Sequence, residues 1–158
     1  MKVSAHVVVG RSIDEVFAFA TSVRYLDRWM KGITDPRWLT HAPNEAGARF
    51  ACNFTFGGLA SELVFEITEY ERNERYDLRV LDGPFGLFTN TAFEPVSEGT
   101  VVRRTVDLYL TPIPVPIVET LGFLIRPMLA QRVRENLVRL KACIEGTDPT
   151  PGMGVATG

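Results

Sequence analysis

Apolar residues recur at intervals of three and four along residues 116–145, near the end of the chain. They are Ile117, Leu121, Leu124, Ile125, Met128, Leu129, Val133, Leu137, Leu140 and Ile144. A helix of this length would extend for about 43 Å, so its apolar side needs a broad surface to cover it. Because Pro127 lies inside the pattern, we expect a kink near Ile125 or a regular helix that begins there.

The segments before this helix have the pattern of β-strands. Alternating or β-branched apolar residues predict strands over residues 3–9, 33–40, 49–56, 60–71, 75–81, 85–94 and 100–110. Two short helices are predicted between the first two strands, one capped by Ser12 with Glu15 completing a capping box, and one over residues 23–30. Asp35 and Pro36 interrupt the second strand, which indicates an edge position or a bulge.

This order predicts an α+β fold in which a seven-stranded antiparallel sheet curls around the long C-terminal helix, with the two short helices between strands 1 and 2. Short turns between the later strands favour hairpins. We expect the first strand to pair with both the second and the last, which would leave few exposed edges. The length favours one domain, over residues 1–145, and the Gly-, Pro- and Thr-rich residues 146–158 are predicted to be disordered.

Composition and charge exclude several classes of function. The chain has 158 residues, 46% of them apolar, and a net charge of -2. This charge does not indicate the basic surface that is typical of nucleic-acid-binding proteins. No apolar run approaches the roughly 20 residues that span a bilayer. The first residues indicate a strand rather than a signal peptide, so we expect a cytoplasmic protein whose two cysteines are reduced.

The order of elements, together with several short motifs, resembles the START-like, polyketide cyclase/dehydrase superfamily, also called the helix-grip or birch-pollen-allergen-like fold. The matching features are residues 12–19, Trp29, Gly47, residues 67–71 with Arg75, residues 93–95 with 99–101, and residues 137–141. The resemblance covers residues 1–145 and implies a cavity between the sheet and the last helix. Because this fold hosts carriers, hormone receptors, cyclases, hydrolases and co-chaperones, it does not determine the function.

Strand alternation places aromatic and aliphatic residues, with a few polar ones, on the inner face of the sheet. These side chains could pack on the helix and fill the interior, but the resemblance implies a residual pocket. The expected ligand-binding residues are Phe54, Phe56, Leu63, Phe65, Tyr76, Leu78, Phe85, Leu87, Thr89, Thr91, Phe93, Arg104, Val106, Leu121, Leu124 and Met128.

Arg104 is the most informative polar residue, because alternation turns it towards the apolar side and arginine keeps its charge. Counting back through the hairpins places Thr91 opposite it and brings Glu69 into its neighbourhood. Arg104 could therefore anchor a carboxylate or enolate oxygen of a ligand. Alternatively, it could form an internal ion pair with Glu69 or extend to the rim of the pocket.

Two functions fit these features. The first is binding of a small hydrophobic molecule, such as a polyketide, lipid or isoprenoid-like compound, and it needs only the cavity. The second is a polyketide aromatase/cyclase or dehydratase, in which Arg104, Thr89, Thr91 or Tyr76 would polarise a carbonyl or assist proton transfer. A third class is a protein interaction module. Whether the protein is an enzyme stays open at this point, since no general base is evident.

The expected partner is a small hydrophobic molecule, with no nucleic acid and no transmembrane segment. A metal site is not expected, since the two histidines and two cysteines are far apart in the sequence. No cofactor is expected either. The protein is expected to be a monomer or a homodimer.

Overall fold

The computed structural model describes residues 1–41, 44–56, 58–110 and 114–146. Apart from Gly146, the tail that was predicted to be disordered lies outside the described residues. The elements in chain order are β1 (Lys2–Val9), α1 (Ile13–Ala20), a 3₁₀ helix (Val23–Tyr25), α2 (Leu26–Trp29), β2 (Ile33–Trp38), β3 (Arg49–Phe56), β4 (Leu59–Glu71), β5 (Arg75–Asp82), β6 (Gly86–Val96), β7 (Gly99–Tyr109) and α3 (Val115–Glu145).

The strands form one antiparallel sheet in the order β1-β7-β6-β5-β4-β3-β2. With the long helix α3 at the end of the chain, this confirms the predicted α+β helix-grip architecture. Strand β2 lies at the edge of the sheet, and its register with β3 shifts between Thr34 and Arg37. The edge position and the bulge that Asp35 and Pro36 indicated are therefore both present, and Asp35 adopts a positive φ of 51°.

The prediction that β1 pairs with both β2 and β7 is wrong. Strand β1 pairs along its whole length with β7, whereas β2 pairs with β3 at the opposite edge of the sheet. The chain between β1 and β2 is taken up by α1, the 3₁₀ helix and α2, and the bulge bends the short β2 away from a regular ladder. Of the two edge strands, β2 is the shorter, with 6 residues against 8 in β1, which limits the exposed edge on its side of the sheet.

Helix α1 has the predicted N-cap at Ser12, whereas the Glu15 carboxylate, which was predicted to complete a capping box, lies 4.0 Å from Arg11 Nε. The Ser12 side chain accepts a hydrogen bond from the backbone N–H of Glu15 at 3.4 Å. The helix buries Val16 and Phe17, and the Phe17 ring packs edge-on against Phe93 with the ring centroids 4.9 Å apart. This packing closes one end of the core between α1 and the sheet.

Helix α3 buries its apolar stripe only in its C-terminal half. Val133, Leu137 and Leu140 are almost fully buried, whereas Leu124 is 65% exposed and Phe123 is 84% exposed. The sequence stripe that was expected to face the sheet along the whole helix is thus covered only in part. Helix α3 is continuous through Pro127, so it does not begin at Ile125. No helix among the described residues is long and apolar enough to cross a membrane.

Candidate ligand-binding cavity

Two adjoining chambers lie between the sheet and α3. The inner chamber has a volume of about 90 Å³ and reaches the α2–β2 connection, and the outer chamber has a volume of about 200 Å³. The inner chamber is lined by Met30, Lys31, Ile33, Phe54, Leu63, Phe65, Phe85, Leu87, Thr89, Arg104, Val106, Leu129, Arg132, Val133 and Asn136. The outer chamber is lined by Phe54, Phe56, Phe85, Leu87, Leu108, Leu110, Ile125, Met128, Leu129 and Arg132. Residues common to both walls place the chambers side by side.

Aromatic rings from β3 and from the residue before β6 lie where the two chambers meet. Phe54 on β3 meets Phe85, next to β6, edge-on with the centroids 5.7 Å apart, and it stacks at 6.3 Å on Phe56. Phe56 is 37% exposed and Met128 is 55% exposed, so the wall of the outer chamber reaches the protein surface. Apart from Arg132, the outer chamber is lined by apolar residues.

Arg104 on β7 contributes a charged group to the inner chamber. Its side chain is 3% exposed, and its Nη1 donates a hydrogen bond to Thr91 Oγ1 at 3.0 Å. The guanidinium carbon lies 5.4 Å from the centre of the Trp29 ring, within the range of a cation–π interaction. Burial lowers the pKa of Arg104 to about 10, so the guanidinium remains charged at neutral pH.

The alternative in which Arg104 forms an internal ion pair with Glu69 is wrong. The Glu69 carboxylate lies 3.9 Å from Arg75 Nη1, on a side chain that is 43% exposed. A register shift between Ile67 and Glu69 places Glu69 opposite Asp77 instead of in line with Arg104. Among the described residues, no carboxylate lies within salt-bridge distance of Arg104. Since Arg104 is 3% exposed, it does not extend to the rim either.

Several buried polar atoms near this site have no hydrogen-bond partner among the described residues. They are Thr89 Oγ1, the Tyr76 hydroxyl and Trp29 Nε1. Thr89 is 1% exposed and lines the inner chamber. Burial also raises the pKa of Tyr76 above its usual value. Because an unsatisfied buried polar group costs free energy, the inner chamber is a place where a bound molecule would gain hydrogen bonds.

The expected ligand-binding residues fall into four groups. Those that line the inner chamber are Phe54, Leu63, Phe65, Phe85, Leu87, Thr89, Arg104 and Val106, and those that line the outer one include Phe56 and Met128. Tyr76, Leu78, Thr91 and Phe93 are buried in the core but line neither chamber, although Thr91 holds Arg104. Leu121 and Leu124 also line neither chamber, because the covered face of α3 lies further along the helix.

Sequence reasoning missed a second wall of the inner chamber. Met30 and Lys31 come from the α2–β2 connection, and Ile33 is the first residue of β2. The middle of α3 supplies Leu129, Arg132, Val133 and Asn136. Arg132 and Asn136 are one helical turn apart, so the helical period that identified Leu129 could also have identified this pair. Arg132 donates to the backbone oxygen of Lys31 at 2.8 Å, and Asn136 Oδ1 accepts from the Lys31 backbone N–H at 3.0 Å. These bonds tie α3 to the α2–β2 connection.

A separate depression of about 340 Å³ lies between α1 and the β4–β5 turn, and its lining includes Asp14, Arg24, Trp38 and Arg72. Within the described part of the chain, no group of three or more His, Cys, Asp and Glu side chains could hold a metal ion.

Solved structures with the same fold support this architecture. The protein TTHA0849 from Thermus thermophilus is 20% identical, with 92% of this chain and 97% of that chain covered and a TM-score of 0.77. The di-domain ARO/CYC protein StfQ from the steffimycin biosynthetic pathway is 17% identical, with 91% of this chain and 50% of that chain covered and a TM-score of 0.74. A START superfamily protein from Mycobacterium smegmatis is 16% identical, with 88% of this chain and 98% of that chain covered and a TM-score of 0.66.

At these identities the structural similarities show the fold alone, and no curated protein matches the sequence. The sequence model of one family, described as polyketide cyclase / dehydrase and lipid transport, matches residues 1–145. This match covers nearly all of the chain and includes every strand and helix that forms the two chambers. The chain therefore belongs to the polyketide cyclase/dehydrase and lipid transport family.

Proposed function

We propose that the protein binds a small hydrophobic molecule in the two chambers between the sheet and α3. The observation that carries this proposal is the outer chamber, about 200 Å³ in volume and lined by apolar side chains apart from Arg132. An apolar cavity of about 150 Å³ is enough to hold benzene, so a ring-sized group fits this space. Removal of apolar ligand surface from water, at about 25 cal/mol per Å², would supply the main driving force.

The alternative, a polyketide aromatase/cyclase or dehydratase, draws support from the family and from the name of StfQ. Such a reaction needs a group that accepts or donates a proton beside the bound carbonyl. Among the described residues, those that line the inner chamber include no Asp, Glu, His, Cys or Tyr side chain, and Tyr76 lies outside this lining. We therefore favour binding over catalysis. Turnover of a poly-β-ketone by the purified protein would reverse this preference.

The proposed partner is a small molecule of the polyketide, lipid or isoprenoid-like kind. The net charge of -2 supports a ligand other than nucleic acid. The cytoplasmic location and the monomeric or homodimeric state stay predictions from the sequence.

Filling the cavity tests the proposal. Leu87 lines both chambers, so Leu87→Trp places an indole where the ligand would lie. The wild type is expected to bind the neutral fluorescent probe N-phenyl-1-naphthylamine saturably at one site, and Leu87→Trp is expected to weaken this binding at least about tenfold, equivalent to 1.4 kcal/mol. The measurement is a fluorescence titration, and a urea unfolding curve shows that each variant is folded.

Leu59→Trp is the matched control, because Leu59 is 77% exposed and lines neither chamber. It should bind the probe like the wild type. Equal probe binding by the Leu87 variant and the wild type would place the probe elsewhere and contradict the proposal.

A further inference from the structure

We propose that the ligand is an organic monoanion, a carboxylate or enolate, whose charged oxygen binds Arg104 in the inner chamber while its apolar body lies in the outer one. This inference rests on the proposed function, since it specifies the chemistry of the molecule that the same cavity binds. Four observations support it: the lack of a counter-ion for Arg104, the charges around the inner chamber, the free hydroxyl of Thr89 and the sizes of the two chambers.

The first observation is that Arg104 is charged and buried without an acidic partner among the described residues. Its contacts there are one hydrogen bond to the neutral hydroxyl of Thr91 and the face of the Trp29 ring. A buried charge is costly unless it is paired and its hydrogen-bonding groups are satisfied. A carboxylate is the group that matches a guanidinium best, because it can accept two parallel N–H bonds. The bound anion would therefore complete the site.

The second observation concerns the other charges that line the inner chamber. They are Arg132 and Lys31, and no acidic side chain lines the chamber among the described residues. Lys31 Nζ lies 3.4 Å from a Glu135 carboxylate oxygen, and Arg132 lies over the Phe56 ring at 5.0 Å while it donates to a backbone oxygen. The charged side chains that line the chamber are thus all cationic, and low-dielectric walls strengthen their attraction for an anion. Arg104 is the deeply buried cation among them, so a single negative charge is the best match.

The third observation is the free hydroxyl of Thr89. In the β6–β7 ladder Thr91 is opposite Arg104 and Thr89 is opposite Val106, so both threonines lie on the face of β6 that carries Arg104 on β7. Thr91 Oγ1 is occupied by Arg104, whereas Thr89 Oγ1 has no partner among the described residues. A threonine hydroxyl can donate one hydrogen bond to an oxyanion. Arg104 and Thr89 would thus bind the same head group.

The fourth observation is the size of the chambers. A volume of about 90 Å³ corresponds to about three water molecules, which suits a carboxylate or enolate group but not a ring system. The outer chamber, at about 200 Å³, suits the apolar body. The two chambers therefore favour an amphipathic acid that enters with its polar head first.

The experiment compares two probes that share a ring system. 2-Naphthoate carries a carboxylate, and 2-acetylnaphthalene carries a neutral carbonyl group of similar size. Arg104→Met is expected to weaken binding of 2-naphthoate by about tenfold to a hundredfold, the range for a charge-assisted contact. The same change should leave the affinity for 2-acetylnaphthalene within a few-fold of the wild-type value. Isothermal titration calorimetry at neutral pH measures both affinities.

Arg103→Met is the matched control, since Arg103 is the exposed neighbour of Arg104 on β7 and alternation turns it to the other face of the sheet. It should leave both affinities unchanged. If Arg104→Met does not fold, Thr89→Val gives the second test, with an expected loss of up to about tenfold for 2-naphthoate and little change for 2-acetylnaphthalene.

The outcomes separate this inference from the proposed function. If the wild type binds both probes and Arg104→Met weakens neither, the acid specificity is wrong and the apolar binding site stands. If the wild type binds neither probe, and N-phenyl-1-naphthylamine also fails to bind, the proposed function itself is wrong. Arg104→Met could lower the unfolding midpoint, and the additional change Glu69→Leu could restore it. That result would show an internal ion pair between Arg104 and Glu69 and would overturn the inference.

Discussion

Replacing Trp29 with alanine is expected to lower the free energy of unfolding by about 3–5 kcal/mol, the range for removal of a large buried aromatic side chain. Trp29 is 2% exposed at the end of α2, and the Arg104 guanidinium lies over its ring. The change would remove both the buried apolar surface and the ring that faces a buried charge. Urea unfolding followed by circular dichroism measures this loss.

Trp29→Phe is the control for this change. Trp29 Nε1 has no hydrogen-bond partner among the described residues, so phenylalanine keeps an aromatic ring without losing such a bond. Its destabilisation should therefore be clearly smaller than that of Trp29→Ala. If the two variants were equally destabilised, an aromatic ring at position 29 would not stabilise the protein. The contact between this ring and Arg104 would then not contribute to stability.

The second large effect is expected at Gly99, at the start of β7. A Cβ atom there would lie 2.1 Å from the backbone oxygen of Val9 and 3.0 Å from the backbone nitrogen of Arg11, and the φ angle of 139° is itself strained for other residues. Neither neighbouring atom belongs to a flexible side chain. We therefore expect Gly99→Ala to cost more than about 3 kcal/mol, beyond the usual range for single substitutions.

Gly58→Ala separates backbone strain from the steric clash. Gly58 also has a positive φ, 83°, but a Cβ atom there would meet nothing within 4 Å. Its cost should be only the conformational penalty of about 1–2 kcal/mol. Thermal unfolding of both variants provides the comparison, and a Gly99 variant no less stable than the Gly58 variant would show that β1 and the β6–β7 turn are not packed this closely.

Much of the fold was predictable from the sequence because strand alternation is a local property. The period of two residues located the seven strands and placed Phe54, Leu63 and Arg104 on one face of the sheet, as the structure has them. The short turns fixed the antiparallel order of the later strands. The family resemblance, which rested on the order of these elements, is confirmed by the match over residues 1–145.

The part of the site that α3 supplies was less predictable. Helical periodicity identifies an apolar stripe but does not show where along the helix the sheet stops covering it. Leu121 and Leu124 continue the stripe and yet lie beyond the chambers, whereas Arg132 and Asn136 line the inner one. Which turn of a long helix meets a cavity depends on tertiary packing that no local pattern records.

The error at Glu69 has a different physical origin. Assignment of faces along β4 assumed an uninterrupted register, but the register with β5 shifts between Ile67 and Glu69. The expected position of Thr91 opposite Arg104 was correct because β6 and β7 pair without such a shift. The register shift thus moves Glu69, the counter-ion considered for Arg104, out of line with it. Local sequence patterns do not record such a shift, so the sequence could not show that Arg104 lacks an acidic partner among the described residues.

A crystal structure of the protein with 2-naphthoate is the decisive test of ligand binding at Arg104. We predict a carboxylate oxygen about 2.7–2.9 Å from a guanidinium nitrogen of Arg104, the usual length of such charge-assisted bonds. The naphthalene ring should lie in the outer chamber between Phe54, Phe85 and Leu129. Two empty chambers, with 2-naphthoate bound instead in the depression beside α1 or on the exposed face of α3, would show that the cavity is not the binding site for this acid.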